Sequence, residues 1–163
     1  MQIKQVVMVD KRRVELQTLP LDEQVGAAEF RVRTERTFIS AGTELANYTA
    51  TEPAVYQKGS WCAYPWRAGY AHVGVVEALG SAVTRVTKGQ RVFSYSAHAS
   101  HVNISQDAFF VAVPDGIDPA VAAASRMAGI ATSAMAIADR SLHQPVVLVL
   151  GLGIVGNLAA QSF

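Results

Sequence analysis

Cysteine is all but missing from this chain: Cys62 is the only one in 163 residues. An intramolecular disulfide is therefore excluded, which agrees with a reducing, cytoplasmic setting. An excess of one charge is missing too. Fourteen basic residues stand against 13 acidic ones, with no basic run, so neither nucleic acid nor an anionic membrane surface has an electrostatic handle. No uninterrupted apolar stretch reaches the roughly 18 residues of a membrane span. The opening MQIKQVVMVDKRR is too short and too charged to read as a signal peptide. There are no internal repeats and no low-complexity tail. What is plentiful is apolar side chain, 50% of the sequence, enough for a globular core.

The most informative stretch is PVVLVLGLGIVGNLAAQSF, Pro145 to Phe163. Val146 to Leu150 form a continuous apolar, β-branched run, and Gly151-Leu152-Gly153-Ile154-Val155-Gly156 follows at once. The pattern predicts a buried parallel strand, a tight turn and a helix start, the setting in which G-x-G-x-x-G signals dinucleotide binding. Gly151 permits the turn, Gly153 lets backbone approach a pyrophosphate, and Gly156 lets helix and strand pack closely. The helix N-terminus favours the pyrophosphate charge. The cofactor-binding candidates are Gly151, Gly153, Ile154, Val155 and Gly156. A glycine-rich turn without a ligand is the plainer alternative.

The rest of the chain is punctuated by short strands. Residues 3–8 and 12–18 read as a hairpin turning at Asp10-Lys11. Residues 29–39 alternate apolar and polar, as a half-buried strand does. Residues 45–68 hold Tyr48, Tyr56, Trp61, Tyr64 and Trp66 with no period, which predicts a long functional loop with one short helix. Residues 71–79 form a strand containing Gly74, a sign of a bulge or a close backbone approach. Residues 91–95, 99–104 and 109–113 complete a set of short strands that favours a barrel or sandwich. Asp118-Pro119 is a helix start. Residues 119–140 are Ala-rich around Gly129, which predicts two short helices before Gln144-Pro145 stops them. The expected divisions are therefore a β-domain over 1–114, a helical connector over 115–144 and the start of a nucleotide-binding domain over 145–163.

GYAHVGVVEALGSAVTRVTKGQRV (residues 69–92), VPDGIDPAVAAA (113–124) and VLGLGIVG (149–156) occur in that order. Together they resemble the medium-chain dehydrogenase/reductase superfamily, which includes the zinc-type alcohol dehydrogenases. The resemblance covers nearly the whole chain. It implies a mainly β fold with some α: a GroES-like β-barrel, a short helical segment, and the first strand-turn-helix of a Rossmann fold. The family's chains run to about twice this length, so this one looks truncated within the first Rossmann helix and is expected to be inactive alone. The resemblance further implies hydride transfer between NAD or NADP and a carbonyl, an alcohol or an activated alkene. Its implied partners are a small-molecule substrate and further copies of itself in a homo-oligomer, with no nucleic acid and no membrane.

Zinc members of the family carry Cys-Gly-Thr-Asp after the strand that ends near residue 39. Here Ala41-Gly42-Thr43-Glu44 stands in its place, with Ser40 at the cysteine position under a one-residue shift. Their Gly-His-Glu is Gly69-Tyr70-Ala71, and the single cysteine cannot make their four-cysteine lobe. The resemblance is thus to a zinc-independent member. In such members a tyrosine in the region of Tyr48 donates a proton or orients a carbonyl, so the catalytic candidates are Tyr48, Thr43 and Ser40. Each has a plainer role open to it: Tyr48 packs the loop, and Thr43 and Ser40 cap a turn. Glu44 is expected to cap a helix start or pair with an arginine.

His98 and His101 lie three apart, on opposite faces of a strand, which does not make a chelate; His98 is expected in an exposed loop and His101 on a barrel strand. Tyr56, Trp61, Tyr64 and Trp66 either line an apolar substrate cleft or cover the barrel end, and Cys62 among them reads as a packed thiol. Two other readings stay open: a zinc enzyme with rearranged ligands, and a non-enzymatic GroES-like module that binds partners. Elemental analysis of protein purified without chelator is expected to show no stoichiometric zinc. About one tightly held zinc per chain would contradict this reading of the ligand positions.

Overall fold

A computed structural model describes residues 1–137 and 146–162. It is mainly β with some α, as expected. Among the described residues seven strands, β1 (Gln2–Asp10), β2 (Arg13–Pro20), β3 (Glu29–Thr37), β4 (His72–Leu79), β5 (Arg91–Ser94), β6 (His101–Ser105) and β7 (Phe110–Ala112), fall into two sheets. β1 and β2 form the hairpin, and the other five are ordered β6-β3-β4-β5-β7, with antiparallel pairing throughout. The helices among the described residues are α1 (Thr43–Thr49), α2 (Pro119–Ile137) and α3 (Ile154–Ser162). A 3₁₀ turn, Pro53–Tyr56, lies in the aromatic stretch. By contact density the chain divides into two compact units, Met1–Ala123 and Ala124–Phe163.

The hairpin is laced to the larger sheet through residues 97–100. Val6 N–H donates to His98 O, Ser100 N–H to Lys4 O, and Met8 and Trp66 exchange two backbone bonds. These joints bind the two sheets to one another. Two apolar clusters fill the first unit. Phe30, Val32, Val76, Val86, Val92 and Ile104 form one, with the Phe30 ring edge-on to Phe110 at 5.0 Å. Ala71, Val73, Phe93, Ala122 and Ala123 form the other. β3 supplies Phe30 and Val32 on alternate positions, as a strand with one inward face must.

Two expectations about helix and strand are corrected. Residues 119–137 form one helix rather than two, because a mid-helix glycine such as Gly129 costs only about 1 kcal/mol and does not end a helix by itself. Its start is as expected, with Ala120 N–H donating to the Asp118 side chain at 2.7 Å. By length and composition α2 is long and apolar enough to cross a membrane; Ala122 and Ala123 in its first turns are buried in the second cluster. Val146 to Leu150 are not in a strand; Val146 is 99% and Leu150 85% exposed. A strand needs hydrogen-bonded neighbours, and these residues have none among the described residues. The expected stop at Gln144-Pro145 lies outside the described residues.

Gly74 is where the sheet is most constrained. A Cβ there would lie 2.3 Å from Arg33 O, and the β3–β4 register shifts between Thr34 and Arg36 beside it. Both the bulge and the close approach expected of a strand glycine are present. Gly74→Ala is expected to lose more than about 2 kcal/mol in chemical denaturation, because backbone rather than a flexible side chain must yield; an unchanged midpoint would contradict this packing.

Candidate functional site

α1 and the residues leading into it carry the catalytic candidates. The helix starts at Thr43 behind Gly42, and its N-cap makes no side-chain hydrogen bond. Ser40 Oγ accepts from Gly42 N–H at 3.4 Å. Thr43 is exposed, Ser40 partly buried and Tyr48 partly buried. Five residues along a helix turn the side-chain direction by about 140°, so Thr43 and Tyr48 do not share a face. Tyr48 lies one turn beyond Glu44 and shares its face. The far end of α1 is tied to the hairpin tip, where Arg12 N–H donates to Tyr48 O at 2.7 Å.

Glu44 is the anchor. It is only 3% exposed. His98 Nε2 donates to Glu44 Oε1 at 2.5 Å, and Ser40 N–H donates to Glu44 Oε2 at 2.5 Å. The carboxylate therefore fixes the loop that precedes α1 and ties it to the 97–100 segment. Two expectations are corrected here. His98 is buried rather than exposed, and Glu44 pairs with a histidine rather than an arginine. The reason is long-range: the partners stand 54 positions apart, and backbone bonds from Val6 and to Ala68 hold His98 inward. His98 Nδ1 is buried with no hydrogen-bond partner among the described residues. His101 stands on β6 as expected.

Beside this pair runs a second polar chain. Thr34 Oγ1 donates to Ala99 O at 2.5 Å and lies 2.8 Å from His72 Nε2. A hydroxyl has one proton, so His72 Nε2–H is the donor in that contact. His72 Nδ1 then accepts from Ser94 Oγ at 3.0 Å, and Ser94 in turn lies 2.9 Å from Ser96 Oγ. His72 is fully buried. Burial first, and the neighbouring His98 second, push its pKa down to about 4. At neutral pH it is a neutral ring that orders the hydroxyls on either side of it.

The aromatic stretch packs as pairs. Tyr56 and Tyr64 meet edge-on at 5.8 Å, as do Trp61 and Trp66, and Cys62 is fully buried. Tyr64 Oη donates to Asn47 O, and burial raises its pKa. A cavity of about 530 Å³ opens against Val9, Val55, Tyr56 and Tyr64; Ser40, Thr43 and Tyr48 do not line it.

In the second unit the glycine motif forms the expected turn into α3. Gly151 has φ +89°, and a Cβ on Gly156 would lie 1.9 Å from Gly151 O. Asn157 N–H donates to Gly153 O at 2.8 Å. At Gly153 a Cβ would meet nothing within 4 Å, so this backbone is open to a ligand. Ile154 and Val155 form the first turn of α3 and are exposed. Among the described residues no three His, Cys, Asp or Glu side chains converge on a point. Sequence reasoning missed Thr34, Ser94 and the Glu44–His98 contact; a histidine inside the apolar strand His72–Leu79 was the one available signal.

The model of the alcohol dehydrogenase GroES-like domain matches residues 40–145. No curated protein sequence matches significantly. Among solved structures, an Escherichia coli oxidoreductase/dehydrogenase of unknown specificity involved in membrane biogenesis is 15% identical, with TM-score 0.81 over 99% of this chain and 54% of its own. The human synaptic vesicle membrane protein VAT-1 homolog-like protein is 22% identical, with TM-score 0.77 over 99% and 52%. A candidate zinc-binding dehydrogenase of Sinorhizobium meliloti 1021 bound to NADP is 17% identical, with TM-score 0.77 over 99% and 52%. The chain thus spans about half the length of these structures, and the likeness is one of fold.

Holding His72 neutral has a consequence for stability. Its folded pKa lies below the unfolded value of 6.5, so the unfolded chain takes up the proton first. Its contribution is complete above about pH 6.5 and is lost as pH falls toward 4, on the order of 3 kcal/mol in all. Urea titrations at about pH 7 and about pH 4.5 are expected to show a smaller loss for His72→Gln than for the parent protein. Equal losses in both would contradict a neutral, buried His72.

Proposed function

The chain belongs to the alcohol dehydrogenase GroES-like family, and on that premise we propose that it serves a hydride-transferring oxidoreductase that works without catalytic zinc. The cofactor is NAD or NADP, and the substrate is a carbonyl or alcohol, or an activated alkene. The observation that carries this reading is the Gly151–Gly156 turn. Its glycines are demanded by backbone geometry at both ends, and its middle is open at Gly153. Such a turn ahead of a helix N-terminus suits a pyrophosphate, which the backbone N–H groups and the helix dipole favour.

The bound nicotinamide would supply the hydride chemistry. The protein's part is to place the substrate and to stabilise charge on its oxygen. Ala41, Tyr70 and Ala71 stand where the family's zinc ligands and their partner are expected, and none of them is a metal ligand. A hydroxyl must then meet the developing oxyanion. Tyr48 and Thr43 are the donors on α1, and Ser40 lies on the loop that Glu44 fixes. Because Tyr48 and Thr43 face different ways, one of them serves the reacting oxygen and the other packs or contacts the cofactor.

The test is transfer of deuterium from 4-deuterated NADH or NADPH to carbonyl and enone substrates by the full-length protein. Label is expected in the product carbon, and Tyr48→Phe is expected to lower kcat by about 100-fold with cofactor binding retained. Absence of label from every product would contradict the reading. Unchanged kcat in both Tyr48→Phe and Thr43→Ala would remove these residues from it.

A further inference from the structure

The inward face of β1 breaks its own pattern. Ile3, Gln5 and Val7 alternate toward the barrel interior, and all three are buried. Gln5 is only 6% exposed, yet its side-chain amide has no hydrogen-bond partner among the described residues. Its amide atoms are not among the polar atoms sealed from solvent, so they face an opening and not packed core.

Gln5 lines a cavity of about 290 Å³ between the hairpin and β6. This is at the small end of ligand sites, about 300 Å³ and upward, and too small for a dinucleotide. Its apolar wall is Ile3, Leu19, Ala99 and Val102, and its polar lining is donor-rich. Arg31 Nε donates to Asn103 Oδ1 at 3.0 Å. That contact uses the carbonyl end of Asn103 and leaves its Nδ2 donors for the cavity. Arg67 is exposed at the rim with no ion-pair partner among the described residues. His101 also lines the cavity. Its Nδ1 lies 3.2 Å from Ser100 Oγ and its Nε2 3.4 Å from Glu77 Oε2. Glu77 is the acidic group that reaches a lining side chain, and Arg33 at 2.9 Å offsets its charge; Asp22 and Glu23 follow the lining Leu21, and the Met1 amino group pairs with Glu23 at 3.2 Å. No carboxylate lines the cavity.

We infer that this cavity binds a short-chain aliphatic carboxylate. The acyl chain lies against Ile3, Leu19 and Val102, and the carboxylate accepts from Arg67, the Asn103 amide and the Gln5 amide. A guanidinium with amide donors is the arrangement that stabilises a carboxylate most. An alcohol would leave most of these donors unmet, and an amine would meet Arg67 with like charge. None of Ser40, Thr43 and Tyr48 lines this cavity, so the site is independent of the proposed hydride chemistry.

Two-dimensional amide NMR of the full chain during titration with sodium hexanoate tests this. Saturable shifts at Ala99 and Val102 are expected, with a Kd on the order of 1 mM or tighter. Arg67→Ala, an exposed substitution that leaves the core intact, is expected to weaken binding at least about fivefold. Gln5→Leu, which makes the face apolar throughout, is expected to weaken binding as well. Hexan-1-ol and hexylamine are expected to give no saturable shift. Failure of hexanoate to saturate by about 20 mM, equal affinity for hexan-1-ol, or unchanged binding in Arg67→Ala would overturn the assignment.

Discussion

Two backbones approach each other at Gly74 and Arg33 more closely than any Cβ would allow. Much of the polar interior follows from that contact. The register shift beside it accompanies a cross-strand arrangement in which Thr34 meets His72, and the pairing of His72 with Ser94 supplies the other ring nitrogen with its donor. Thr34 spends its proton on Ala99 O, which holds the 97–100 segment against β3. That segment in turn carries His98 to Glu44, and Glu44 fixes the backbone at Ser40. A tight contact between two central strands is thus connected, bond by bond, to the loop that precedes α1. The His72–Ser94 and Glu44–His98 links are buried and the others partly so, and an unmade hydrogen bond in such a place is costly.

This arrangement bears on chemistry without zinc. A metal ion positions a substrate oxygen by direct coordination. A hydroxyl must be held in place by its own scaffold, because its one proton gives a single directional bond. The Glu44 anchor at one end of α1 and the Arg12–Tyr48 backbone bond at the other hold the short helix at both ends. Seven residues would not stay helical alone in water. The proposed donors therefore depend on tertiary contacts for their geometry.

Local pattern made most of the strands legible. Alternation in residues 29–39 and the apolar run at 71–79 located β3 and β4, and Gly74 announced the close approach. The failures share a cause, which is that partners distant in sequence decided the outcome. The run at Val146–Leu150 has strand composition, but a strand is defined by its neighbours and these residues have none among the described residues. His98 sits in SYSAHASH, which has loop composition, and is buried only because Glu44 and the β1 backbone receive it. The long helix α2 overrode a mid-helix glycine that local propensity alone weighed too heavily. At the site, Ser40, Thr43 and Tyr48 could be named from the resemblance. The residue that holds their loop became visible only when two segments 54 positions apart met.

The central structural claim is that Glu44 and His98 act as one buried unit. A double-mutant cycle on folding stability, with Glu44→Gln, His98→Gln and the two combined, measures this most directly. The account predicts that each single change costs about 3 kcal/mol or more, that the pair costs little beyond either, and hence that the coupling energy is of that same order. Additive single effects, with a coupling energy near zero, would contradict it.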